Sequence, residues 1–268
     1  MTFQLVEPIL LIGLGGVGAR LAEKAKKSLN SDCLLISHDQ KDLTIENSIK
    51  ISTKSVVNPS THLIRGSTLE TSDEIKKNIA NYSTVILMSN LAGKAGAGIG
   101  PIVSRICKQE QKNLLSFAIM PFKFEKARIF QSGIALKRVR QDSQCTIVVD
   151  NDALLDSNPD LTQNQCYDIS NKAIESMMHS LKSSEISGDT NILSTGKATS
   201  DIEVSLKDSL RMLYEDAPPN SIKRSMLYVY GADNIPVGVL NTISNITGGT
   251  FDENSTHIEM SSEESKVV

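Results

Sequence analysis

Two glycine-rich runs hold the residues of this 268-residue chain best suited to chemistry. Gly13-Leu14-Gly15-Gly16-Val17-Gly18 satisfies GxGxxG, and Ala92-Gly93-Lys94-Ala95-Gly96-Ala97-Gly98 forms a second cluster. Each follows an apolar run and leads into a helical pattern. Free backbone N–H groups and the positive end of a helix then face outward together, which suits phosphate. No residue of the second run except Lys94 is larger than Ala, so the backbone is free to approach a charged group closely. Lys94 can neutralise phosphate as an ammonium, although no GxxxxGK[ST] pattern makes it a Walker lysine. Asp39, about 20 residues beyond the first run, stands where a ribose-binding acid belongs. One dinucleotide needs one such loop. Two loops at one sheet edge suit a mononucleotide carrying two or three phosphates.

The elements that must position these residues alternate. Pro8 to Ile12, Cys33 to Ser37, Thr84 to Met88, Asn113 to Ile119 and Cys145 to Val149 read as short buried strands. Helices are expected over about 16–28, 100–111 and 127–141, with Asp150-Asn151-Asp152 as a loop. This is the pattern of an α/β, Rossmann-like parallel sheet covered on both faces. A long helix from Asn164 to Leu181 leads to a polar segment, Lys182 to Asp189. The expected organisation is therefore a nucleotide-binding domain at 1–183 and a small α+β domain at 184–268. In the latter, helices are expected near 202–214 and 237–245, and strands at 226–230 and 257–260.

Composition narrows the function. Lys and Arg number 28 against 31 Asp and Glu, so nucleic-acid binding by bulk charge is not expected. Trp is absent and aromatics make up 4%, which argues against a stacking platform. Four widely spaced cysteines without a CxxC pair read as buried free thiols in a reducing compartment. No targeting segment and no bilayer-spanning run stands out, so a cytoplasmic location is expected.

The order of motifs resembles the FtsZ/tubulin family of filament-forming GTPases. The first glycine run is similar to that family's first phosphate loop, and Ser37-His38-Asp39 to its Asn-Thr-Asp loop. Ala92 to Gly98, with Pro101 three residues on, resembles its GGGTGTG run. Met120-Pro121-Phe122-Lys123-Phe124-Glu125 resembles Lys-Pro-Phe-x-Phe-Glu, and Val149 to Leu155 resembles Pro-Asn-Asp-x-Leu-Leu. The resemblance implies a GTP- or GDP-binding protein, with Mg2+ possible, that forms head-to-tail homo-oligomeric filaments in cell division or cytoskeletal organisation. It implies phosphate contacts from Gly13, Gly15, Gly16, Gly18 and the backbone from Gly93 to Gly98. Glu125 matches a ribose-contacting glutamate, Arg128 sits one position before a basic residue near sugar and phosphate, and Asn151 matches a sugar or base contact. Asn171 matches one of two residues facing guanine, whereas Lys172 replaces the acid. A membrane is expected to be met only indirectly, through an anchor protein.

The departures bear on catalysis. Ala95 and Ala97 replace threonines, removing two hydroxyls worth about 0.5–1.5 kcal/mol each as hydrogen bonds. The family's Asn-x-Asp-x-x-Asp loop, which orients the attacking water, is not preserved. Asn191 matches its Asn, while Leu193 and Gly196 occupy both acid positions, with Glu185 and Asp189 nearby. Hydrolysis is expected to be weak or absent. Two other readings stay open: a Rossmann oxidoreductase or adenylating enzyme, and a degenerate family member that binds no nucleotide and acts as an interaction partner.

Overall fold

Unbroken apolar runs become the central strands of a sheet, because a strand buried on both faces has no polar side to alternate with. The computed structural model describes residues 2–54, 57–181, 186–196, 201–217, 221–222, 224–231, 253–260 and 266–268, together with 238, 241 and 245. The chain runs β1 (Thr2–Phe3), β2 (Ile9–Leu14), α1 (Gly15–Leu29), β3 (Asp32–Ser37), a 3-10 turn (Gln40–Asp42), β4 (Ser48–Lys50), α2 (Thr61–Glu70), α3 (Ser72–Ile79), β5 (Thr84–Asn90), α4 (Lys94–Gln109), β6 (Asn113–Met120), α5 (Lys126–Asp142) and β7 (Cys145–Asp150). It continues through α6 (Asn151–Ser157), α7 (Gln163–Ser180), β8 (Ile186–Ser187), β9 (Thr190–Leu193), α8 (Ile202–Asp216), β10 (Arg224–Gly231), β11 (Glu253–Met260) and β12 (Lys266–Val267). Two compact units result: residues 1–149 with 181–191, and residues 150–180 with 192–268.

The first unit is the expected α/β sheet, ordered β4-β3-β2-β5-β6-β7-β9. β2 pairs in parallel with both β3 and β5, in a register that sets Leu14 beside Ile36 and Ser89. From β2 the chain winds outward to β3 and β4, then returns to β5 on the other side of β2. That reversal makes the carboxyl ends of β2 and β5 a topological switch point, where ligands bind in open α/β sheets. Alternate residues Leu10, Ile12 and Leu14 join Ile64 of α2, Ile75 of α3 and Ile99 of α4 in one apolar cluster. Ile9 and Leu11, on the opposite face, are also buried, so both faces of β2 are covered.

Helix α4 starts at Lys94 rather than near Gly100, so most of the second glycine run is helix and not loop. Pro101 consequently lies inside α4. Its missing N–H leaves the Ala97 carbonyl, four residues earlier, without an intrahelical donor. Arg65 Nη2 of α2 donates to that carbonyl at 3.2 Å instead. Helices α2 and α3 cover a stretch to which the sequence reading assigns no element. Asn151 opens α6 instead of lying in a loop, because the Asp150 carboxylate accepts the Asp152 N–H at 2.8 Å and caps the helix.

In the second unit, β10 pairs in parallel with β11 and antiparallel with β12. Leu227 and Val229 of β10 pack with Ile202 and Leu206 of α8. The α+β character expected of this part is present there. The helix expected at 237–245 falls almost wholly outside the described residues, as do 182–185 of the polar segment.

Candidate nucleotide site

The two glycine runs meet. Gly15, in the left-handed region at φ +63°, follows β2 directly, and a Cβ on it would stand 2.8 Å from the Ala95 methyl. Residues eighty positions apart thus bring the starts of α1 and α4 together at the switch point. Neither helix has a side-chain cap, and neither carries an acid in its first turn. Each N-terminus bears the equivalent of about half a positive charge on unsatisfied N–H groups. Two of them side by side over a surface of glycine and alanine form a cradle for a polyanion. On this observation the residues present fit the phosphates of a nucleotide.

The individual glycines divide by role. A Cβ on Gly13 would meet the Gly18 carbonyl oxygen at 2.6 Å and Ala19 Cα at 2.8 Å, and one on Gly18 would strike the Met88 carbonyl of β5. These two let α1 lie directly on the sheet. Gly96 closes on the Asn90 carbonyl, and Gly98 faces Ile64 of α2. Gly15 and Gly16 are left at the turn itself. The turn before α4 is braced: Asn90 Oδ1 accepts the Ala92 N–H at 2.9 Å, and Ser132 of α5 donates to the Leu91 carbonyl at 2.8 Å.

The polar side chains picked from the sequence are engaged with neighbouring groups. Asp39 accepts the Lys41 N–H at 3.0 Å and so starts the 3-10 turn. That turn carries round Asp42, which sequence reasoning missed. Asp42 Oδ2 accepts from Ser37 Oγ at 2.6 Å, while Oδ1 lies 2.8 Å from where a Gly16 Cβ would be. The carboxylate nearest the first glycine run is therefore that of Asp42, not Asp39. An Asx turn opening at Asp39, with a second acid three residues on, was the available signal. Lys94 reaches back to the segment before α2, donating to Asn58 Oδ1 at 2.5 Å and the Pro59 carbonyl at 3.0 Å. Glu125 Oε1 pairs with Arg128 Nη1 at 2.6 Å, and its Oε2 accepts the Phe122 N–H at 3.2 Å.

His38 sits among these charges. Burial lowers its pKa from the ordinary value, against the opposing pull of Asp39 and Asp42, with Lys50 and Lys94 adding to the lowering. Its Nδ1 is buried without a partner among the described residues. In the second unit, Asn151 Oδ1 accepts from Ser170 Oγ at 2.6 Å, leaving its buried Nδ2 without a partner among the described residues. Asn171 is half-buried beside Ser170 on α7. Asn191, the match to the catalytic loop, lies on β9 with its amide 3.4 Å from Cys145 Sγ. Asp189 Oδ1 accepts the Thr190 N–H, and Glu185 falls outside the described residues. Among the described residues no group of three or more His, Cys, Asp or Glu is placed to hold a metal ion. The four cysteines are buried, and burial pushes Cys33 to about 11 and Cys107 and Cys145 to about 12.

Comparison with known proteins agrees with this fold. The family model described as Tubulin/FtsZ family, GTPase domain, matches residues 8–159. Cell division protein FtsZ 2 of Halobacterium salinarum is 26% identical over 180 residues, covering 62% of this chain and 44% of that protein. The chain thus spans about half the length of the curated relatives it matches. Among solved structures, a mutant FtsZ from M. jannaschii has a TM-score of 0.76 at 18% identity, covering 97% of this chain and 88% of that one. CetZ2 from Haloferax volcanii, a GTPgS-bound protofilament, has a TM-score of 0.67 at 15% identity, covering 97% and 91%.

Proposed function

Because the chain belongs to the Tubulin/FtsZ family by way of its GTPase domain, we propose that it binds a guanine nucleotide and stacks head to tail into filaments, with weak or absent hydrolysis, in cell division or cytoskeletal organisation. The observation that carries this reading is the meeting of Gly15 with Ala95, which sets two uncapped helix starts side by side at the switch point. Phosphates lie against the backbone at Gly13, Gly15, Gly16, Gly18 and from Gly93 to Gly98. Glu125 and Arg128 reach the sugar by exchanging their mutual ion pair for it, and Lys94 meets phosphate by releasing Asn58. Asn151 and Asn171 keep the sugar and base roles that the resemblance implies. Mg2+ accompanies the phosphates as a counter-charge. A heterologous contact of this kind repeats without closing and so builds filaments; the GTPgS-bound protofilament of CetZ2 is the parallel among similar structures.

Loss of the family's two acids, with Leu193 and Gly196 in their places, supports weak hydrolysis. Family membership disfavours the dinucleotide-enzyme alternative. The engagement of Asp39, Lys94, Glu125 and Arg128 with neighbouring groups favours one second reading, a member that keeps the fold and binds no nucleotide.

Nucleotide released from the purified protein by acid, identified by mass spectrometry, separates the two. GTP or GDP in the extract, pelleting of protein on addition of GTP, and slow phosphate release are the expected results. Nucleotide-free protein that takes up no added GTP and stays in the supernatant overturns the proposal.

A further inference from the structure

Helix α5 is covered on one side only. Ser132, Ala135 and Val139 are its buried residues and define the inward face. At roughly 100° per residue, the opposite stripe runs Lys126, Phe130, Ile134 and Lys137. Phe130 is 75% exposed and Ile134 36%, with Ile129 at 41% beside them; Phe124, in the loop just before the helix, is 59% exposed. Gly133, at the edge of that stripe, faces open space. Large apolar side chains are normally the first to be covered, so their concentration on one outward face marks an interaction surface.

Charge identifies the partner. Residues 123–140 carry six cations and one carboxylate, in a chain whose net charge is −3. That carboxylate, Glu125, is already paired with Arg128. The outward face therefore presents aromatic and aliphatic side chains flanked by Lys126 and Lys137, the composition that lies at the boundary between acyl chains and anionic headgroups. We propose that α5 docks this protein directly on an anionic lipid bilayer. Phe130 and Ile134 enter the acyl boundary, and Lys126 and Lys137 extend their stems to the headgroups. An anchor protein is not required for this contact, and the inference does not rest on nucleotide binding.

Flotation with phosphatidylcholine vesicles, with and without about one-third phosphatidylserine, tests it on the full chain. The wild type is expected to float with the anionic vesicles and to stay behind with the neutral ones. The Phe130→Ser/Ile134→Ser and Lys126→Glu/Lys137→Glu pairs are expected to lower bound protein at least about tenfold. All four positions face outward, so unchanged thermal melting checks that the variants fold. No flotation, equal flotation on neutral vesicles, or variants that float like the wild type overturn the proposal. A serine pair that changes sedimentation without lipid, while vesicles capture nothing, also overturns it and assigns the face to a second copy of the chain.

Discussion

Single residues at the candidate site act through what they lack. Gly18 has no room for a side chain, because its missing Cβ points at the Met88 carbonyl, whereas Gly133 meets nothing within 4 Å. Gly18→Ala is expected to cost about 2–4 kcal/mol by forcing α1 off the sheet. Gly133→Ala is expected to gain up to about 1 kcal/mol from helix propensity alone. Urea unfolding of the pair measures both, and similar effects at the two sites would contradict the packing described. His38 makes the second residue-scale prediction. Its folded-state pKa lies below the ordinary value, so the unfolded chain binds a proton more readily. Stability is therefore held above about pH 6.5, the unfolded value, and declines as pH falls below it. His38→Asn is expected to flatten that decline between about pH 7 and pH 5, and an unchanged slope would show that burial of the imidazole is unimportant.

Between elements, the bond from Arg65 to the Ala97 carbonyl is the test case. Helix α4 tolerates Pro101 because a guanidinium from α2 replaces the donor that proline removes. Arg65→Ala leaves a buried carbonyl unpaired and is expected to cost about 1–3 kcal/mol. Pro101→Ala restores the N–H, so in that background the cost of Arg65→Ala should shrink; a double-mutant cycle in urea reads the difference. Additive losses would mean that Arg65 acts through packing alone. The apolar spacing marked the strands β2, β3, β5 and β6 and the helix α1 within a few residues, because each buries a long or regular face. It missed α2 and α3, where few residues are buried, and it placed the start of α4 late. Glycine reads as loop when taken locally, yet Gly96 and Gly98 sit in helix because close packing on Asn90 and Ile64 requires them.

For the whole molecule, binding is linked to folding. If the cradle between the starts of α1 and α4 holds GTP, ligand at about a hundred times Kd should stabilise the protein by about 2.7 kcal/mol, seen as a raised melting temperature. Gly15→Val, strained at φ +63° and pressed against Ala95, should abolish that rise. Chain order and residue type were enough to establish the alternation of strands and helices, the two glycine runs and the family they resemble, since these depend on local periodicity and short motifs. Only the tertiary structure decided that Gly15 meets Ala95, that Asp42 rather than Asp39 faces the first run, that Lys94 turns to Asn58 and that Arg65 completes α4. Most of these contacts join residues tens of positions apart, and even the short-range choice of Asp42 depends on how the 3-10 turn folds back over α1. Their geometry follows from sheet order and helix packing, which no local pattern encodes.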